Sequence, residues 1–258
     1  DAWSVGLTCG GTIEIFLEKF FAAAEPTLWE KLRACLAENR GCALVTNISG
    51  AGSGHLLVLP DGSTAGDIAR PELVGHALRA YRERKSQIVE IDGVPWFIRV
   101  FPRKFQLFVI GAAHAAAELV HLAHYFDFET IVIDPRSAFA RNTHFPTPPD
   151  RLVEEYPAEV IPDYELDEYT FAVVMAHDPK IDDQALHLLL HSKAAYIGAL
   201  SSKKSNERRR ERLLAEGFTE DDIQRIHAPV GVPIKSKTAR EIALSIVAEM
   251  IAVKNAYW

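Results

Sequence analysis

The stretch Gln106 to Arg136, QLFVIGAAHAAAELVHLAHYFDFETIVIDPR, limits the possible folds of this chain more than any other. A short apolar run, Leu107 to Ile110, closes on Gly111. A small-residue helical pattern follows through His124, and a β-branched run from Thr130 to Ile133 ends in Asp134. The order is strand, helix, strand, with an acid 23 positions beyond the glycine. That spacing is the first half of a dinucleotide-binding fold. Unpaired N–H groups and the positive end of the helix dipole converge where a pyrophosphate would lie, and Asp134 stands where it could accept bonds from ribose hydroxyls. The three small positions of the turn are Gly111, Ala113 and Ala116, and the methyl of Ala113 pushes a ligand outward or selects a different one. Such a unit also serves as plain core, so a ligand site and an empty scaffold both stay open.

With 258 residues, of which 48% are hydrophobic and 24% charged, the chain has room for two ordinary domains with real cores. No apolar run approaches the roughly 18 residues of a membrane span, so no membrane partner is expected. A formal net charge of −7 argues against a general nucleic-acid binder. Three cysteines, Cys9, Cys35 and Cys42, leave an odd thiol, and no signal peptide is recognisable; both features fit a cytoplasmic protein. The chain opens with Asp1, not Met, which suggests a fragment or a processed product.

Before the central stretch, Thr8-Cys9-Gly10-Gly11 precedes an alternating strand over Thr12 to Leu17. The two glycines free the backbone to approach a ligand, which makes the Cys9 thiol a candidate ligand or nucleophile; a buried cysteine beside a tight turn is the alternative. A helix over Leu28 to Ala37 places Cys35 on its apolar stripe, as core. Strands over Ala43 to Ile48 and Leu56 to Leu59 flank the glycine-rich Ser49 to Gly54, which reads as a hairpin loop more readily than as a phosphate cradle. A helix from Pro71 to Arg84 and strands at Gln87 to Ile91 and Pro95 to Val100 complete an α+β domain, residues 1–104. Pro102-Arg103-Lys104 marks the boundary, and residues 105–258 form the second domain.

Beyond Arg136 a proline-rich loop leads to a short helix at Arg151 to Tyr156, a short strand near Val160, and a buried strand, Thr170 to Met175. That strand delivers His177 and Asp178 to the carboxyl edge of a parallel sheet, where ligands bind. The equal alternative is that Asp178 only caps the helix that runs on to His191 while His177 sits exposed. Ser201 and Ser202 follow the strand Ala195 to Leu200 and open a polar helix; hydroxyls and cations at a helix start suit an anion. The run containing Arg208, Arg209, Arg210 and Arg212 reads as a solvated face. Thr238 and Glu241 form a capping box for a long final helix. His121 with His124, and His187 with His191, have helical spacing but no third ligand nearby, so no metal site is expected.

Several blocks taken together resemble the XdhC/CoxI family. They are Thr8-Cys9-Gly10-Gly11-Thr12-Ile13-Glu14, Gly111-Ala112-Ala113-His114, Asp134-Pro135-Arg136, Ala176-His177-Asp178-Pro179, Tyr196 to Leu200, and His227 to Gly231 followed by Glu241 to Ile246. The resemblance implies an α/β protein, with a C-terminal Rossmann-like parallel-sheet domain behind a smaller N-terminal α+β domain. It implies an accessory factor that binds molybdenum cofactor, as molybdopterin or its dinucleotide, protects it during sulfuration and delivers it to a xanthine dehydrogenase-type molybdenum hydroxylase. A homodimer and a cysteine desulfurase partner belong to the same expectation. So does a further N-terminal segment upstream of this chain's start. Carried over residue by residue, Cys9 with Gly10 and Gly11 contacts the cofactor. Gly111, His114 and Asp134 shape the Rossmann pocket, with His177 at its rim, and Ala113, Arg136, Asp178, Ser201 and Ser202 complete the set of expected cofactor-binding residues. No catalytic residue is assigned. The competing reading is an NAD(P)-dependent oxidoreductase using the Rossmann domain, with His114 and His177 as acid and base. A third is a structural partner of a molybdenum hydroxylase that has lost its ligand.

Overall fold

The computed structural model describes residues 15–19, 22–50, 54–68, 70–138 and 145–257. It divides into two units between Arg103 and Lys104. In the first, helix α1 (Pro26–Ala37) starts on a proline at its first turn, where a missing N–H costs nothing. Strands β1 (Cys42–Asn47), β2 (His55–Val58) and β3 (Thr64–Ala65) follow, then helix α2 (Pro71–Arg82) and strands β4 (Gln87–Ile91) and β5 (Val94–Phe101). The strands form one antiparallel sheet in the order β3-β2-β1-β5-β4, with Ala43 opposite Val58 and Val100. Because side chains alternate along a strand, β1 serves two layers. Ala43 and Val45 pack with Leu73, Ala77 and Ala80 of α2, while Cys42 packs with Leu28, Leu32 and Cys35 of α1.

Cys9 and its two glycines lie outside the described residues. The strand expected over Thr12 to Leu17 lies partly outside them too; Ile15 to Leu17 have no regular secondary structure and are exposed. Cys35 and Cys42 are both buried free thiols. Burial, and then the neighbouring Cys35, push the Cys42 thiol up to about 12, so almost none of it is thiolate at neutral pH. In a Cys9→Ala background, a maleimide is therefore expected to leave Cys35 and Cys42 unlabelled in the folded protein and to label both in denaturant. Rapid native labelling seen by intact mass would contradict this packing.

The second unit begins with strand β6 (Gln106–Ile110), helix α3 (His114–His124) and strand β7 (Glu129–Ile133). Strand β8 (Arg151–Val153), helix α4 (Pro157–Val160), strand β9 (Thr170–Val174) and helix α5 (Pro179–Leu190) come next. They are followed by strand β10 (Tyr196–Ala199), helices α6 (Lys203–Ala215) and α7 (Glu220–Gln224), strand β11 (Ile226–His227) and helix α8 (Ala239–Tyr257). All strand pairs are parallel, in the order β11-β10-β9-β6-β7-β8. Numbered within this unit, that order is the doubly wound 3-2-1-4-5-6, with its topological switch between β6 and β9. Along β6, Leu107 and Val109 face a layer built from α3 and α8, and Phe108 and Ile110 face one built around α5. The alanines of α3 let it lie close to α8, where Ala116, Leu119, Val120 and Ala123 share a core with Ala243, Ile246, Val247 and Met250.

The α/β class and the Rossmann-like sheet are as expected, and so is the final cap: Thr238 Oγ1 accepts the Glu241 N–H at 3.2 Å and Glu241 Oε2 accepts the Thr238 N–H at 2.9 Å. Two local expectations are corrected. Residues 151–153 are not helical but an edge strand, held by pairing to β7, with Arg151 opposite Ile131. The apolar pair Val160 and Ile161 lies not in a strand but at the end of α4, which Pro157 opens and Glu159 caps by accepting the Tyr156 N–H at 3.2 Å. None of the described helices is long and apolar enough to cross a membrane.

Candidate functional site

The carboxyl edge of the parallel sheet gathers two groups of the expected residues. The first surrounds the turn after β6. Gly111 has φ +103, and a β carbon there would lie 2.6 Å from the backbone N and Cα of Ala176, which follows β9. The turns after β6 and β9 are thus pressed backbone to backbone at the switch point, and only glycine permits it. Ala113 differs from the middle glycine of the common pattern without strain: it is the residue before α3, at φ −72 and ψ 174. His114 is the exposed first residue of that helix.

Asp134 ends β7 and is wholly buried. Its Oδ2 accepts the Ala112 N–H at 2.7 Å and Arg136 Nη2 at 2.8 Å, and its Oδ1 accepts the Arg136 N–H at 3.0 Å and Nε at 2.8 Å. Arg136 Nη1 also donates to the Ala176 carbonyl at 3.3 Å. Burial pushes the Asp134 carboxyl up, but the bonds from Arg136 and Ala112 outweigh it and hold the group below the usual carboxylate range. The acid expected to meet a ribose is thus bonded to the protein's own backbone and to Arg136. Its carboxylate is spent on the protein's own turn, where it ties the ends of β6 and β7 together and, through Arg136, reaches the end of β9.

The second group surrounds a cavity of about 420 Å³ lined by His177, Asp182, Ser201, Ser202, Arg208 and Arg209, among others. His177 has φ +59 and is exposed. Asp178 caps α5, its Oδ1 accepting the Lys180 N–H at 3.0 Å, so the capping alternative describes what this side chain does. Ser202 caps α6 by accepting the Ser205 N–H at 3.2 Å. Ala176 and His177 are adjacent in the chain, so one turn after β9 backs Gly111 and lines this cavity.

Two functional candidates in the cavity escape the sequence reading. Arg209 is 5% exposed and Asp182 2% exposed. Arg209 Nη2 donates to Asp182 Oδ2 at a long 3.5 Å, while Asp182 Oδ1 accepts the Ala176 N–H at 3.1 Å. Arg209 Nε and Nη1, and Ser201 Oγ, are buried with no hydrogen-bond partner among the described residues. Burial disfavours charge on both members of the pair, raising the Asp182 carboxyl and lowering the Arg209 guanidinium from their ordinary values. The signal that finds Arg209 is periodicity. It stands four residues before Leu213, and these two are the buried residues of α6. Arg210 and Arg212 answer to other acids instead: Arg210 pairs with the exposed Glu220, and Arg212 Nε and Nη2 reach the half-buried Asp183 at 2.7 and 3.0 Å.

The paired histidines have ordinary partners. His121 Nδ1 meets Thr147 Oγ1 at 2.7 Å, His124 Nε2 lies 2.8 Å from Thr130 Oγ1, and His187 Nε2 lies 2.5 Å from Glu216.

Residues 107–250 match a family model described as the XdhC Rossmann domain. A probable xanthine dehydrogenase subunit of Bacillus subtilis (strain 168) is 26% identical over 257 residues, spanning 98% of this chain and 73% of the relative. The molybdenum cofactor insertion chaperone PaoD of Escherichia coli (strain K12) is 30% identical over 90 residues, 35% of this chain and 28% of that protein. A crystal structure described as a xanthine dehydrogenase from Bacillus halodurans superposes with a TM-score of 0.66 at 24% identity, covering 89% of this chain and 63% of that one; it shares the fold.

Proposed function

We propose, since this chain belongs to the XdhC family, that it binds molybdenum cofactor and hands it on, sulfurated, to a xanthine dehydrogenase-type molybdenum hydroxylase. The observation that carries this reading is the pairing of family membership with the likeness to a protein named as a molybdenum cofactor insertion chaperone. The physical fit is consistent. A molybdopterin ends in a phosphate, or in a nucleotide on a pyrophosphate, and the sheet edge offers buried, unpartnered donors on Ser201 and Arg209. Its dithiolene and metal call for a soft neighbour, the part we assign to the Cys9 thiolate, flanked by Gly10 and Gly11. His177, Ser201 and Ser202 are the described side chains we assign to the cofactor's anionic end, with Gly111, Ala113, His114 and Arg136 shaping the turn beside it.

On this reading residues 105–258 hold the anionic end of the cofactor. The hydroxylase is the recipient and a cysteine desulfurase the sulfur donor. A homodimer is the form in which we expect the carrier to work. The protein's own residues bind, orient and exclude water; no bond need break on the chain. The engagement of Asp134 with Arg136 and Ala112 counts against the nicotinamide alternative, because the acid that would grip a ribose is already satisfied.

Incubating the purified chain with molybdenum cofactor, and separately with NAD and NADP, tests the proposal. Cofactor is expected to remain bound through gel filtration, and Cys9→Ala to lose most of it. Tight nicotinamide binding without cofactor retention would overturn the carrier reading in favour of an oxidoreductase.

A further inference from the structure

At the Gly111 turn, the usual seat of a pyrophosphate in this sheet, the first N–H after the glycine is already bonded to Asp134. The unmet donors are two strands away, at the start of α6. That helix has 13 residues, and the N–H groups of Lys203 and Lys204 in its first turn have no acceptor among the described residues. Ser201 Oγ, one residue before the capping Ser202, is buried and likewise unpartnered among the described residues. Arg209 of the same helix, more than nine-tenths buried, also lines the cavity, with two of its guanidinium nitrogens unmatched among the described residues.

A guanidinium carries five donors in a fixed fork, and an unmatched buried donor is costly. A chain keeps such an arrangement where an acceptor from outside completes it. The charge balance agrees. The lining holds Arg208, Arg209 and Arg212 against one acid, Asp182. Arg212 is spent on Asp183, and Asp182 is spent on Arg209 and the Ala176 N–H, which leaves Arg208 without a partner among the described residues.

We propose that this cavity is a binding site for a phosphate monoester or pyrophosphate, held by Ser201, the first turn of α6, Arg208 and the buried Arg209. Identifying its natural occupant with the phosphate end of molybdenum cofactor rests on the carrier reading above; the site itself does not. Arg209 is the specificity-determining residue. Its fork suits a tetrahedral oxyanion, and it lines the same cavity as Ser201 while its Nη2 donates to Asp182 Oδ2 at 3.5 Å.

Calorimetric titration of the whole chain with pyrophosphate and with inorganic phosphate, at fixed ionic strength, tests the site. One saturable site is expected. Ser201→Ala and Arg208→Gln are each expected to weaken it about tenfold without lowering the melting temperature, because neither side chain makes a hydrogen bond among the described residues. Absence of pyrophosphate binding, or equal binding by all three proteins, overturns the site. Scoring the same proteins for cofactor retention separates the two claims. Retention without Ser201-dependent pyrophosphate binding removes this site and leaves the carrier. Ser201-dependent binding without retention keeps the site and removes the carrier.

Discussion

Gly111→Val is expected to destabilise the second unit by roughly 3–5 kcal/mol. Two costs add. At φ +103 a side-chain-bearing residue is strained whatever the space, and here the space is filled: the new β carbon would meet the N and Cα of Ala176 at 2.6 Å. Those atoms cannot retreat easily, because Met175 N–H donates to the Ile110 carbonyl and Gly111 N–H to the Ile133 carbonyl, both at 2.8 Å. Urea unfolding followed by circular dichroism measures the loss as a lower midpoint at unchanged slope. Ala113→Gly is the control, since alanine already fits its φ of −72 and stability should barely move. If Gly111→Val lost less than about 1 kcal/mol, the close approach of the two turns would be wrong.

Asp134→Asn is expected to cost roughly 2–4 kcal/mol at pH 7. The amide keeps the volume but loses the charge that answers Arg136, and it turns a donor toward groups that also donate, Ala112 N–H and the guanidinium. Arg136 is about one-third exposed, with a side-chain value of 33%, which places the cost below that of a fully buried pair. The pH dependence has a definite sign. The folded-state carboxyl lies below its ordinary value, so its contribution is fully present above the unfolded value of about 3.9 and is lost as pH falls through the folded one. The gap between wild type and Asp134→Asn should therefore be constant from pH 7 to about pH 5 and close at more acid pH. A gap that persisted undiminished near pH 2 would mean the ion pair is not its source.

The two residues also mark how far sequence reading reaches. Gly111 and its strand, helix and strand were legible because each is a local pattern: an apolar run, a glycine, a 3.6-residue period, a second run. The acid at the end of β7 was legible as a residue at the right spacing, but its partner was not. That Arg136, two residues on, would take both carboxylate oxygens depends on how the chain leaves the strand. Arg209 was hidden for the opposite reason. Within a stretch of three consecutive arginines and a fourth beyond Glu211 its charge suggests solvent, and only its register with Leu213 on α6, set against the sheet, turns it inward. Residues 151–156 read as helix because six residues carry too little period to decide, and pairing to β7 is what makes 151–153 a strand.

The sequence by itself determined the α/β class, the positions of the principal strands and helices, the glycine at the switch point and the cap of the last helix. Each follows from residues within one or two turns of one another, where sterics and periodicity act directly. Only the tertiary structure decided which polar groups at the sheet edge are already satisfied and which are not. Hydrogen-bond satisfaction is a property of neighbours brought together from distant segments: Asp134 meets Ala112 across 22 residues and Arg209 meets Asp182 across 27. Those pairings leave the Gly111 turn with its first N–H satisfied and leave Ser201 and Arg209 at α6 with unpartnered donors among the described residues.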